Sequence, residues 1–169
     1  MRVYVPATVG MLRQFVADGE LRPVRGTAFA LTPALREAYV SGSTEELEYA
    51  ALLDAARASL RLLSAHEPEQ SDIKEPPRRV VVSADVDNVT ARPDLDHAVV
   101  RLAGPISMDD VAAVHVDAPE AEQAVLAAAA VIDAADLGDP DAEFVLGDVE
   151  DHELAWYAPQ ELPFLLELM

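Results

Sequence analysis

The amino-acid sequence predicts an α/β (α+β) protein with a single mixed sheet of about six strands and helices packed on that sheet. Short apolar runs of strand length alternate along the chain with segments whose apolar residues recur at helical spacing. Two stretches, one in each half, have the order strand–helix–strand and predict βαβ-like units, with a central hairpin between them. A chain of 169 residues can bury a core of its own, so we expect a single domain over residues 1–169.

The first unit begins at the N-terminus. Arg2–Pro6 alternates around two valines and predicts a strand, and Thr8 is a good capping residue for a helix that runs to Asp18 and ends at Gly19. Thr27–Leu31 predicts the next strand. Because a single helix joins these two strands, we expect them to be parallel, with a right-handed crossover.

Two helices follow the second strand. Thr32 caps a short helix that reaches Tyr39, since proline in the next position is tolerated in a first turn. Ser43 to Glu46 has the Ser-x-x-Glu form of a capping box and begins a helix to about Ala65. The apolar stripe that we expect to face the core consists of Tyr49, Leu52, Leu53, Ala56, Leu60 and Leu63.

The middle of the chain combines a loop and a hairpin. Residues 66–78 are polar and contain three prolines, which predicts a flexible loop. Arg79–Ala84 and Ala98–Ala103 predict strands, and the turn-rich segment between them predicts an antiparallel hairpin with a long tip.

The second unit occupies the last third of the chain. Asp117 and Glu120 form a cap-plus-acid pattern that predicts the start of a helix. The predicted elements are a strand at Ala113–Val116, a helix to about Ala135, a short helix at Asp141–Leu146, a strand at Glu153–Ala158, and a helix at Gln160–Leu168 interrupted near Pro163.

Charge is distributed very unevenly along the chain. The segment from Ile106 to Met169 has sixteen Asp and Glu and no Lys or Arg, and the whole chain has a formal net charge of −19. Binding to a nucleic-acid backbone needs several Lys and Arg contacts, so we expect no direct binding to DNA or RNA. A basic protein partner, or mimicry of a nucleic-acid surface, agrees with this charge.

The sequence contains no catalytic signature. It has no cysteine, which excludes disulfides, thiolate nucleophiles and cysteine-based metal sites. The four histidines lack the spacing of metal ligands, no glycine-rich phosphate loop is present, and no serine lies in a nucleophile elbow. We therefore predict no catalytic residue and no cofactor. The opening residues predict no signal peptide and no segment predicts a membrane span, so we expect a cytoplasmic protein.

Two groups of residues are candidates for binding. Trp156 and Tyr157 are adjacent on a predicted strand, so their rings point to opposite faces; either both are packing residues, or one is exposed beside the acids and anchors a partner. The predicted partner-binding residues are Trp156, Tyr157, Glu150, Asp151 and Glu153. A divalent metal is the alternative use of carboxylates, at Asp85 and Asp87, although both also fit a hairpin turn that bonds its own backbone.

Three segments resemble a family of small uncharacterised proteins of high-GC actinobacteria. They are the opening MRVYVPAT, the segment ELEYAALLDAARASLRLL at 46–63, and the segment EDHELAWYAPQEL at 150–162. The resemblance covers nearly the whole chain and is weakest at 66–78. It implies a cytosolic single domain and brings no activity, catalytic residue or cofactor.

Two functions follow as hypotheses. The first is a non-enzymatic interaction or regulatory protein whose acidic C-terminal surface binds a basic partner. The second is a metal-assisted enzyme or small-ligand binder that uses the carboxylates at strand ends, where open α/β sheets bind their ligands. An unpaired edge strand would in addition support a homodimer.

Overall fold

The computed structural model describes residues 1–65 and 75–169. The strands are β1 (Arg2–Ala7), β2 (Glu20–Leu21), β3 (Thr27–Ala30), β4 (Val80–Asp85), β5 (Val89–Ala91), β6 (Val99–Leu102), β7 (Ile106–Ser107), β8 (Val111–Val116) and β9 (Ala155–Tyr157). The helices are α1 (Val9–Asp18), α2 (Pro33–Ala38), α3 (Thr44–Ala65), α4 (Glu122–Asp136), α5 (Pro140–Glu150) and α6 (Leu162–Glu167). Within the described ranges, no helix combines the length and the apolar character that crossing a membrane requires. Most of the loop predicted at 66–78 lies outside the described residues.

Seven strands form the main sheet, in the order β5-β6-β3-β1-β4-β8-β9, and every neighbouring pair is antiparallel. Strands β2 and β7 form a separate two-stranded ladder. The predicted fold class, a sheet with helices packed on it, is confirmed. The predicted parallel pairing of the first two strands is wrong, because Val3 lies opposite Ala30 and Tyr4 opposite Phe29 in an antiparallel register.

The antiparallel pairing follows from what joins each pair of strands. One crossover helix returns the chain to the end of the sheet where the first strand began, which produces a parallel pair. After α1, however, residues 20–26 form β2 and a tight turn with Arg25 and Gly26 in the left-handed conformation, and they carry the chain back before β3 begins. The second predicted βαβ-like unit is wrong as well, because two helices, α4 and α5, lie between β8 and β9 and the two strands pair antiparallel.

The predicted pairing of the central hairpin is also wrong. Strand β4 pairs with β1 and β8, whereas β6 pairs with β3 and β5. The hairpin partner of β6 is therefore Val89–Ala91, which lies inside the segment predicted as the exposed tip. Strand β4 is buried from Val80 to Ala84, on both of its faces, and such a continuous apolar run suits a central strand.

Helices cover both faces of the sheet. Leu12 and Phe15 of α1 and Leu162 of α6 pack on one face, against valines of β1, β4 and β8. Ala51 and Ala55 of α3 pack on the opposite face. Helices α4 and α5 form an outer layer on α3. The acidic C-terminal segment therefore contributes an edge strand, an outer layer on one side of the sheet, and a helix on the other side.

Helix α3 buries a different stripe from the predicted one. Ala56 and Leu60 are buried as expected, but Tyr49 and Leu53 are exposed. The buried residues of α3 are Leu47, Ala51, Ala55, Ala56, Ser59 and Leu60. The small side chains let the helix backbone approach the sheet closely, and Ser59 donates a hydrogen bond to the Ala7 carbonyl (2.7 Å) and accepts one from the Val80 amide (3.1 Å).

Asp117 does not cap the helix that follows it. Its carboxylate accepts three hydrogen bonds of 2.8 Å from Arg79, one from the backbone amide and two from the guanidinium. The Arg79 and Asp117 side chains are only 3% and 0% exposed, and Arg79 also donates to the His152 carbonyl at 2.8 Å. This buried ion pair joins the start of β4, the end of β8 and the segment before β9.

Candidate functional site

The predicted partner-binding residues lie in and around the edge strand β9. Glu150 ends α5, Asp151 and Glu153 lie in the connection that follows, and all three are exposed. Tyr157 is half-buried and packs against the core beneath α1 and α6, while Trp156 is 61% exposed on the opposite face of the strand. The alternation of the two rings is confirmed, and the interpretation that both are packing residues is wrong for Trp156.

Arginines from the rest of the chain neutralise only part of the acidic C-terminal segment. Asp117 pairs with Arg79, and Glu122 pairs with Arg78. In the outer layer, Asp136 and Glu143 pair with arginines of α3. The other twelve acids from 106 to 169 make no ion pair with another described residue. They are Asp109, Asp110, Glu120, Asp133, Asp139, Asp141, Asp148, Glu150, Asp151, Glu153, Glu161 and Glu167.

These twelve acids do not form one continuous face. Asp109 and Asp110 precede β8, Glu161 and Glu167 lie around α6 on the other side of the sheet, and Glu120 and Asp133 accompany α4. The remaining six lie on α5 and on the segment that leads to β9. We call these six, Asp139, Asp141, Asp148, Glu150, Asp151 and Glu153, the acidic surface.

Helix α5 displays an aromatic ring within the acidic surface. Asp139 caps the helix by accepting hydrogen bonds from the backbone amides of Asp141 (2.9 Å) and Ala142 (3.3 Å). The helix buries Ala142, Leu146 and Val149 against its neighbours, and on the opposite side Phe144 is 78% exposed. At helical spacing its neighbours are Asp141, Gly147 and Asp148, and Asp151 follows two turns later at the end of the helix. We call these four residues and Phe144 the outer face of α5.

Ion pairs from α3 hold α5 and α4 in place. Arg57 contacts Asp136 at 3.0 Å and Glu143 at 3.1 Å, and Arg61 contacts Asp136 at 2.7 Å. Hydrogen bonds from Arg61 and Arg57 lower the pKa of Asp136. Both guanidiniums line a cleft of about 620 Å³ with Asp54, whose pKa is raised by burial and by nearby Asp96. Because both arginines are already paired, this cleft offers no free cation among its described residues.

The predicted metal ligands lie beside another cleft, of about 310 Å³. Both oxygens of Asp85 bind Arg2, at 2.8 Å to Nε and 3.0 Å to Nη2, and these hydrogen bonds lower the pKa of Asp85. Asp87 lines the same cleft without an ion pair to a described residue. Over residues 1–65 and 75–169, no group of three or more His, Asp or Glu side chains is arranged to hold a metal ion. The Arg2 guanidinium therefore occupies the place of a cation at Asp85.

The sheet face next to α3 has polar contacts that the sequence did not indicate. Ser83 Oγ lies 2.8 Å from His115 Nε2, and His115 lies opposite Trp156 in the β8–β9 pair. Burial and the positive charge of Arg2 lower the pKa of His115, which favours the neutral form of the ring. On β1, burial and Glu48 raise the pKa of Tyr4 to about 12.

This polar group does not form a catalytic serine site. Ser83 is only 2% exposed, so a substrate cannot reach its hydroxyl. No described carboxylate hydrogen-bonds the second ring nitrogen of His115. A triad needs an accessible nucleophile and an acid that orients the base. The Ser83–His115 contact is therefore a cross-strand hydrogen bond, and it became visible only once the order of the strands was known.

Comparison with protein-family models matches residues 1–166 to a family described as "Family of unknown function (DUF6912)". Searches among curated proteins and among solved structures returned no match.

Proposed function

Since the chain belongs to this family of unknown function, its own surface must indicate its role, and we propose that it is a non-enzymatic interaction or regulatory protein that binds a basic partner protein. The binding region is the acidic surface on α5 and the segment leading to β9. Trp156, exposed on the edge strand, and Tyr157, half-buried beside it, border this region.

The observation that carries this proposal is the incomplete neutralisation of the C-terminal carboxylates. All six carboxylates of the acidic surface lack an ion pair with any described residue, although α3 places two arginines against the neighbouring Asp136 and Glu143. Like charges gathered on one helix and the segment after it repel one another, and a cationic partner relieves that repulsion. Exposed aromatic rings next to these charges supply the apolar contact that a specific interface needs.

Electrostatics of this kind act mainly on the rate of encounter. Complementary charge accelerates association, and its effect weakens as salt shortens the screening length to about 8 Å at physiological ionic strength. We therefore expect a partner to bind faster and more tightly at low salt. We propose the cytoplasm as the compartment, because a chain without cysteine has none of the disulfides that are common in small secreted domains.

The test compares two variants that remove the same charge from different places. One neutralises Asp148, Glu150, Asp151 and Glu153 of the acidic surface as Asn or Gln. The control neutralises the exposed residues Glu20, Glu37, Glu45 and Asp87, which make no ion pair with a described residue. Proteins captured from cytosol by each variant and by the wild type are identified by mass spectrometry at low and at high salt.

We expect the wild type and the control to retain the same basic protein at low salt, and the acidic-surface variant to lose it. The proposal fails if no basic protein is retained by the wild type at either salt concentration. It fails equally if both variants lose the partner to the same extent, because net charge alone would then explain the binding.

A further inference from the structure

We propose that the outer face of α5 is a binding site for arginine side chains of the partner protein, in which a guanidinium stacks on Phe144 and hydrogen-bonds to Asp141 or Asp148. This inference rests on the proposed function and adds the residues and the type of side chain that are recognised. According to this proposal, the residues of α5, rather than the acidic surface as a whole, determine which partner proteins bind.

Phe144 is the least expected side chain on this helix. It is 78% exposed, while Ala142, Leu146 and Val149 already fill the contact with the neighbouring helices. Phenylalanine has a lower helix propensity than alanine or leucine, so helix formation does not favour it at this position. The packing around α5 therefore does not explain the Phe144 ring. An exposed aromatic side chain surrounded by charged residues is typical of an anchor residue in a binding interface.

The carboxylates around Phe144 are placed to hold a planar cation. Asp141 precedes the ring by three residues and Asp148 follows it by four, so their Cβ atoms lie roughly 5–6 Å from that of Phe144. Gly147 is the third neighbour, and a Cβ atom built there would meet nothing within 4 Å. One side of the ring is thus open to an incoming side chain.

Arginine fits these groups better than lysine does. Its guanidinium is planar, it stacks on aromatic rings, and it forms paired hydrogen bonds with a carboxylate. A lysine ammonium is more strongly hydrated and acts as a point charge. A sequence that contains no Lys or Arg after Arg101 supplies no competing cation from the segment around α5.

The charge of the protein also disfavours a symmetric contact in which the outer faces of two copies pack against each other. Two copies would each bring a formal net charge of −19, and packing one outer face against another would set carboxylate against carboxylate. Arg57, the guanidinium of α3 that contacts α5, is committed to Asp136 and Glu143.

The experiment measures the affinity of the full chain for fluorescent nona-arginine and nona-lysine peptides by anisotropy at one fixed, low salt concentration. Three proteins are compared: the wild type, Phe144→Leu and Tyr39→Leu. The leucine at 144 keeps an apolar side chain and removes the aromatic ring. Tyr39 is the control, since its ring is 49% exposed and Arg36, rather than a carboxylate, lies three residues before it at the end of α2. Circular dichroism checks that all three are folded.

We expect the wild type to bind nona-arginine more tightly than nona-lysine. Phe144→Leu weakens nona-arginine binding about two- to fivefold, the range of an exposed cation–π contact, and leaves nona-lysine binding unchanged. Tyr39→Leu changes neither. Equal affinity for the two peptides, or an equal loss in both variants, overturns the arginine site and leaves the proposed function standing. Failure to bind either peptide overturns both.

Discussion

Replacement of Asp117 by alanine leaves a guanidinium in the protein interior without its counter-ion. The Arg79 side chain is 3% exposed, and after this change its guanidinium keeps only the hydrogen bond to the His152 carbonyl. Three hydrogen bonds of 2.8 Å are lost at once, including the one that satisfies the Arg79 backbone amide. The contacts between β4, β8 and the segment before β9 depend on this pair.

The expected cost follows from the burial of the pair. Removing one partner of a buried ion pair lowers the free energy of unfolding by about 3–5 kcal/mol, because the remaining charge is uncompensated. For a chain of this length each kcal/mol corresponds to about 2–4 °C in Tm, so we expect Tm to fall by about 6–20 °C. Replacing Arg79 by methionine in the same chain removes the stranded charge, and the double variant should therefore be more stable than Asp117→Ala alone.

Guanidinium unfolding followed by circular dichroism measures this loss through the midpoint at constant m-value. The control is Asp94→Ala, because Asp94 pairs with Arg92 at 2.7 Å on the surface and its loss should leave the midpoint unchanged. A loss below about 1 kcal/mol for Asp117→Ala, the range of exposed pairs, would refute the reasoning. A double variant less stable than Asp117→Ala would do so as well.

Three further predictions concern single side chains. Gly147→Ala should raise the stability by about 0.5–1 kcal/mol, since glycine weakens a helix interior and the new methyl group has open space; an unchanged unfolding midpoint would contradict this. Ser59→Ala should lower the stability by about 1–3 kcal/mol in the same assay, because a buried carbonyl and a buried amide lose their partner, whereas the exposed Ser64→Ala on the same helix should have no effect. Burial and Arg2 lower the pKa of His115 from its usual value, so the unfolded chain takes up a proton before the folded protein does and stability falls as pH drops from 7 to 5. His115→Gln should reduce that fall, and a fall of the same size in the variant would show that other groups cause it.

Local capping signals predicted the helix boundaries well. Thr8, Thr32 and Ser43 each accept a hydrogen bond from the backbone amide three residues later, at 3.2, 3.0 and 3.2 Å. Asp117 has the same local pattern but does not cap the helix that follows it. Its carboxylate is bound instead by Arg79, which lies thirty-eight residues earlier in the chain. Local sequence contains no information about which distant charge competes for a capping side chain.

Strand directions could not be read from the order of elements. The strand–helix–strand rhythm predicted a parallel pair, but the few residues 20–26 after α1 reverse the chain once more. The buried side of α3 was also mispredicted. The prediction followed its larger apolar residues, whereas the side that packs on the sheet contains small residues such as Ala51 and Ala55. In both cases the outcome depends on the neighbour across the interface.

The candidate site was predicted in part. The charge pattern pointed to the C-terminal third, and the alternation of Trp156 and Tyr157 was correct. Phe144 was missed because the sequence predicted its helix only over Asp141–Leu146. The helix in fact continues to Glu150. Its buried residues then include Val149, and this longer buried stripe places Phe144 on the exposed side of the helix.

The central claim, that a cationic partner binds at α5, is tested most directly by amide chemical shifts. In a ¹⁵N–¹H spectrum of the full chain titrated with nona-arginine, we expect the largest shifts at residues 141–151, with smaller ones at 153–157. Shifts centred instead on the cleft with Asp54 and Asp96, or spread evenly over all exposed acids, would contradict the account.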